Sequence, residues 1–192
     1  MMLTEVERIR YSRQIMIFGK EGQEKLKEAH VVIAGVGGLG SVVALYLTAM
    51  GVGRITIVDK DKVALPDLNR QILYDAEAIG RAKVEYAREK LQKMNPDVDI
   101  IPINEEISSE NVDKILSDVD LVIDCLDNWR TRLILNKACI KHNRILIHGG
   151  IHGLSGQVMV IAPRKTACLE CILSLIHISE PTRPRLISYA VF

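Results

Sequence analysis

Val31-Val32-Ile33-Ala34-Gly35-Val36-Gly37-Gly38-Leu39-Gly40 is an apolar run that passes directly into a glycine-rich loop. Four apolar side chains in succession read as a strand covered on both faces, and the glycines let the backbone turn sharply and approach a phosphate. A helical stretch opens immediately behind the loop, which completes the strand, loop and helix order of a dinucleotide fingerprint. Asp59 ends the next apolar run, roughly 20 residues on, where a carboxylate can accept both hydroxyls of a ribose. Gly35, Gly37, Gly38, Gly40 and Asp59 therefore point to a bound nucleotide.

Outward from this unit, short apolar runs alternate with longer stretches of helical period, the pattern of repeated strand-crossover-strand units. Strands are expected at residues 31–36, 54–59, 98–103, 121–125, 145–148 and 156–161, and helices at 40–50, 81–95, 108–116 and 128–141, with Ser108 as an N-cap. The predicted fold is α/β: a Rossmann-like, mainly parallel sheet with helices on both faces. Residues 4–29 read as helical with a break at Gly19 and Gly22, so 1–30 form an N-terminal helical arm and 31–172 the nucleotide-binding domain.

The 192 residues are 48% hydrophobic and carry a formal charge of +1, so no net field draws the chain to nucleic acid or to a membrane surface. Its longest apolar runs are too short to cross a bilayer, and four cysteines in a chain of this size do not make a disulfide framework, which predicts a cytoplasmic setting.

Beyond Asp59 come Asp61, then Asn69-Arg70-Gln71 and Gly80-Arg81-Ala82-Lys83. Asn69, Arg70 and Lys83 place amide and cationic donors where the phosphates of a nucleotide anchored at Asp59 would extend, and both cations are expected outside the core. That suits a triphosphate better than the hydride site of an NAD-dependent oxidoreductase, the rival reading of the glycine loop alone. A noncatalytic nucleotide-binding scaffold is a further alternative.

Taken in order, Arg10-Tyr11-Ser12-Arg13-Gln14-Ile15, the glycine loop, Asp59-Lys60-Asp61, Asn69-Arg70-Gln71, Gly80-Arg81-Ala82-Lys83 and Asp124-Cys125-Leu126-Asp127-Asn128 resemble the MoeB/ThiF/HesA superfamily over about residues 4–172. The resemblance implies an ATP-dependent adenylyltransferase that activates the C-terminal Gly-Gly carboxylate of a ubiquitin-like sulfur-carrier protein and releases pyrophosphate. It implies that Gly38 contacts the nucleotide, Asp59 holds the ribose, and Arg70 and Lys83 bind phosphates. Asp127 would hold Mg²⁺ with Asn128 beside it, and Arg13 would reach into the partner subunit's site of a homodimer. One departure is Asp67, where members of the family often carry Asn. Adenylation of a modified tRNA carboxylate is the alternative within the superfamily; neutral charge and the cysteine pair favour a protein substrate. In-line displacement at phosphorus needs positioning and charge stabilisation rather than a protein nucleophile, which the Arg13, Arg70, Lys83 and Asp127 set supplies.

Cys168 and Cys171 have the spacing of half a tetrahedral zinc site, and the resemblance implies a second such pair farther along, which is not found in this sequence. Cys125 and Cys139 read as core residues. His148 and His152 read as packing or solvent-exposed residues rather than a metal pair, and the placement of Trp129 is left open. Residues 173–192 cease to resemble the family and look like the translation of a sequencing adapter, so a C-terminally truncated domain with a non-native tail is expected.

Overall fold

A computed structural model describes residues 2–172; the expected tail, 173–192, lies outside the described residues. The described residues divide into two compact units, one ending at Glu106 and one beginning at Ile107.

The first unit begins with two helices, α1 (Glu5–Arg10) and α2 (Ser12–Glu28). Thr4 caps α1 in a reciprocal capping box with Glu7. The break foreseen in the arm occurs at Gly19, whose backbone is left-handed, while Gly22 stays helical; a second break, at Tyr11, separates the helices. The arm is pinned by polar side chains. Gln14 and Gln23 both donate to the Met50 carbonyl, at 2.7 and 2.9 Å, Asn95 donates to the Tyr11 hydroxyl at 2.8 Å, and Lys27 pairs with the buried Glu7 at 2.7 Å. Gly51, at φ 77°, ends the following helix in the left-handed region, and any side chain there would collide with the Tyr11 ring.

Strands β1 (His30–Ala34), β2 (Arg54–Val58) and β3 (Asp99–Ile103) are all parallel, with β2 between the other two. Val32, Ile33, Ile55 and Ile57 are fully buried, as strands covered on both faces require. Helix α3 (Gly38–Met50) connects β1 to β2, and α4 (Lys83–Met94) lies on the connection from β2 to β3.

The second unit holds α5 (Val112–Ile115), β4 (Leu121–Asp124), α6 (Trp129–Lys141), β5 (Ile145–His152) and β6 (Ser155–Ile161). β4 and β5 are parallel, and β6 returns antiparallel beside β5 after a two-residue turn. Two expectations need correction here. The helix foreseen at 108–116 shrinks to Val112–Ile115, because Asn111 Oδ1 accepts the Ser108 N–H and Ser108 Oγ accepts the Glu110 N–H, so these side chains make a turn in place of a helical start. The strand foreseen at 145–148 runs on to His152, because pairing with β6 carries the ladder through Gly149 and Gly150. Among the described residues no helix is long and apolar enough to cross a membrane.

Candidate nucleotide site

The parallel register sets Ala34 against Val58, so the glycine loop after β1 and Asp59 after β2 emerge side by side at the carboxyl ends of their strands. Gly35, at φ 88°, makes the turn that a residue with a side chain would resist, and its N–H donates to the Val58 carbonyl at 2.8 Å. The Asp59 carboxylate then ties the two loops together: Oδ2 accepts the Val36 N–H at 2.8 Å and Oδ1 the Asp61 N–H at 2.9 Å. Each oxygen keeps a second lone pair, so the carboxylate can still receive a ribose diol. From beneath, the buried Tyr74 hydroxyl donates to the Val36 carbonyl at 2.8 Å; burial, and then the charges of Asp59 and Asp67, push its pKa up and keep the phenol neutral.

Gly37 is the N-cap of α3, and Gly38 and Gly40 lie in its first turn, where the backbone N–H groups have no acceptor within the helix. Arg70 and Gln71 pass over this loop: side-chain atoms of Gln71 and Arg70 lie 3.8 Å from where a Cβ at Gly37 or Gly38 would stand. Gln71 is buried, and its Oε1 has no hydrogen-bond partner among the described residues, leaving an acceptor beside the glycine loop.

The segment from Asp59 to Lys83 closes on itself. An antiparallel bridge joins Lys62 to Ala82, the Val63 N–H donates to the Arg81 carbonyl at 2.9 Å, and the Lys83 N–H to the Asp61 carbonyl at 2.9 Å. This closure sets Lys83 at the first position of α4, where its ammonium lies 3.6 Å from Asp61 and 3.8 Å from Asp67. Lys83 is buried, contrary to the expectation that both cations lie outside the core; Arg70 is exposed. Burial follows from the two carboxylates and the loop closure around the ammonium, which make desolvation tolerable.

Arg81, quoted in the same motif, has a different task. Its guanidinium pairs with Glu89 and lies 4.9 Å over the Tyr86 ring, while Asp75 accepts from Tyr86 and Lys90. The Lys90 and Tyr86 donors hold the Asp75 carboxyl at about 2, and this knot fastens the crossover loop to α4. Asn69 contacts Arg70, whose Nη1 also donates to the Pro66 carbonyl.

In the second unit, Asp127 and Asn128 are exposed. Asn128 is the N-cap of α6, its side-chain oxygen accepting the Thr131 N–H at 2.9 Å, and its amide lies 3.5 Å from Asp127. Among the described residues no three His, Cys, Asp or Glu side chains cluster as a metal cage. A lone exposed carboxylate is nevertheless what Mg²⁺ uses when substrate phosphates supply the other ligands.

His148 is not a metal ligand candidate beside His152. Its Nδ1 lies 2.6 Å from Asp124 Oδ2, both side chains are buried, and Gln157 reaches its Nε2 at 3.0 Å. Arg132, also buried, lies 3.7 Å from Asp124 and bonds the Leu126 and Gly149 carbonyls. Trp129 lies beside this group, its ring tilted 45° to that of His148 at 6.1 Å and 5.0 Å from the Arg132 guanidinium. Tyr74, Asp124, Arg132 and His148 make buried polar contacts that the motif reading did not foresee, among them Tyr74 with Val36, His148 with Asp124 and Arg132 with Gly149, whose partners are distant in sequence.

The Cys168 and Cys171 sulfurs are 3.4 Å apart, near enough to share one ion. Burial raises the Cys168 pKa, but the Cys171 N–H and thiol, Asn136 and the Glu170 N–H outweigh it and lower the value overall. Burial pushes the Cys125 and Cys139 thiols up to about 12. Iodoacetamide at pH 8, followed by peptide mass spectrometry, is therefore expected to label Cys168 and Cys171 and to spare Cys125 and Cys139 until the protein unfolds. Early labelling of Cys139 would contradict its place in the core.

A nucleotide loop tied to an acidic strand end, in a mainly parallel α/β chain, defines a Rossmann-like nucleotide-binding domain. The ThiF family is matched over residues 11–188. The chain is 40% identical over 172 residues to protein HesA (heterocyst) of Trichormus variabilis, covering 88% of this chain and 64% of that one. It is 38% identical over 167 residues to the sulfur carrier protein ThiS adenylyltransferase of Escherichia coli, covering 85% and 66%. Among solved structures, the E. coli tRNA N6-threonylcarbamoyladenosine dehydratase TcdA in complex with ATP superposes with a TM-score of 0.77 at 28% identity, over 81% of this chain and 65% of that one. The chain belongs to the ThiF family, and it spans less than two thirds of the length of the HesA relatives.

Proposed function

We propose that this chain is the nucleotide-binding part of an ATP-dependent adenylyltransferase, whose substrate is the C-terminal Gly-Gly carboxylate of a ubiquitin-like sulfur-carrier protein. The observation that carries this reading is the closure of residues 59–83, which sets Lys83 and Arg70 beyond a ribose-competent Asp59 and a glycine loop. A dinucleotide hydride site has no need of those cations; a triphosphate does.

Substrate carboxylate oxygen attacks the α-phosphorus, the bond from that phosphorus to the β-bridging oxygen breaks, and pyrophosphate departs with the electron pair. No proton moves to or from the protein. The helix start at Gly37–Gly38 and the Arg70 and Lys83 cations hold the phosphate oxygens, and Asp59 fixes the ribose, so that the carboxylate meets phosphorus in line. Mg²⁺, which Asp127 would hold beside Asn128, supplies charge neutralisation on the phosphates when bound. Asp59, Asp61 and Asp67 leave one net negative charge against Arg70 and Lys83, so a metal and a further cation are required. Arg13 is exposed on α2 and makes no hydrogen bond or ion pair among the described residues, which suits a cation offered to the partner site of a homodimer. Zn²⁺ at Cys168 and Cys171 would need two ligands from elsewhere.

Relatives named for sulfur-carrier adenylylation are 38–43% identical to this chain, against 28% for the tRNA dehydratase, which favours a carrier protein. ATP–pyrophosphate exchange in the presence of candidate carriers ending in Gly-Gly is expected to appear only when the carrier is added. Exchange supported by tRNA alone would place the protein in the alternative branch; thermal stabilisation by NAD and not by ATP–Mg²⁺ would defeat the adenylyltransferase reading.

A further inference from the structure

The Asp67 carboxylate gathers an unusual set of donors for one side chain. Its Oδ1 accepts the Gln71 amide at 2.8 Å and lies 3.5 Å from Arg70 Nη2; its Oδ2 accepts the Ala64 N–H at 3.0 Å and lies 3.8 Å from the Lys83 ammonium. A backbone N–H, an amide, a guanidinium and an ammonium are the groups that phosphate oxygens take in nucleotide sites. The side chain is only 14% exposed, so solvent screens these contacts incompletely. Two of its four partners, Arg70 and Lys83, are the cations assigned above to phosphates.

Resting on the adenylyltransferase reading, we propose that Asp67 is a resident competitor for the phosphate-binding cations, which sets how tightly the site holds triphosphate and pyrophosphate. Phosphates bind by drawing Lys83 and Arg70 away from this carboxylate, and Asp67 reclaims them as pyrophosphate leaves. The competitor therefore weakens ground-state binding and speeds release of the product that carries the same charge. Adenosine, which has no phosphate, is indifferent to it. The contacts to Ala64 and Gln71 are separable from the charge, since Asn keeps an oxygen for one of them and Ser can cap the Ala64 N–H.

The test uses the full chain, with equilibrium binding of ATP–Mg²⁺, inorganic pyrophosphate and adenosine to wild type, Asp67→Asn and Asp67→Ser. Affinity for ATP–Mg²⁺ and for pyrophosphate is expected to rise roughly three- to tenfold in both variants, the scale of two partly screened ion pairs, with adenosine binding unchanged. If wild type binds ATP but variants with wild-type melting temperatures bind ATP and pyrophosphate equally or more weakly, the competition is overturned while the nucleotide site stands. If both variants instead melt early and lose ATP and adenosine together, Asp67 is a loop cap and the proposal is likewise overturned. If wild type binds neither ATP nor adenosine, the functional reading itself fails and the competitor falls with it.

Discussion

Lys83→Ala is expected to lower carrier-dependent ATP–pyrophosphate exchange by about 10²–10³-fold, the scale on which a positioned electrostatic donor acts in a transition state. The loss is larger than that of an ordinary surface cation for a geometric reason. Lys83 is buried between Asp61 and Asp67, at 3.6 and 3.8 Å, so its removal both deletes the proposed phosphate ligand and uncovers two carboxylates that would repel an incoming triphosphate. Arg70→Ala is expected to fall in the same direction by less, because its guanidinium is exposed and already bonded to the Pro66 carbonyl and to Asn69. The fold should survive both changes, since the Lys62–Ala82 bridge and the backbone bonds around it are untouched. Exchange retained at wild-type rate in Lys83→Ala, with circular dichroism and melting unchanged, would remove Lys83 from the phosphate site.

Asp124→Ala is expected to cost about 3–5 kcal/mol of stability, read as a shift in the urea midpoint, because it breaks a buried charged group by removing the carboxylate that Arg132 and His148 share. Asp124 accepts from His148 at 2.6 Å and from the Leu126 N–H at 3.0 Å, and it lies 3.7 Å from Arg132, all among buried side chains. Without it the Arg132 guanidinium keeps two carbonyl acceptors but, among the described residues, no counter-charge, and the His148 ring loses the partner that orients it. Asp124→Asn should cost less, since the amide oxygen still accepts one of those hydrogen bonds. A midpoint for Asp124→Ala close to that of wild type would show that the group is open to water and relaxes freely.

Much of the candidate site's geometry was legible because its parts are local. A strand, a glycine loop and a helix start follow one another within ten residues, and Asp59 stands at the end of the next strand. The backbone geometry such a loop needs is available chiefly to glycine, so composition and order report it directly. The kink at Gly19 was readable on the same ground, being a single residue's preference. Where local preferences compete, the reading failed: Ser108 and Asn111 bond to nearby backbone and shorten the predicted helix, and Gly149-Gly150, which reads as a break, remains in a strand because β6 pairs with it.

By itself the sequence determined the alternation of strands and helices, the glycine loop with its acidic partner, the cationic motifs after it and the ThiF-family resemblance, all set by short-range backbone preference and motif order. Only the tertiary structure decided that Lys83 is buried between two carboxylates, that Asp67 takes the donors a phosphate would use, and that His148 pairs with Asp124 across neighbouring strands. The physical reason is that charge pairing and burial depend on strand register and loop closure. Those bring together residues 16 to 24 positions apart, as Lys83 and Asp67 or His148 and Asp124 are, and no local pattern records the distance between them.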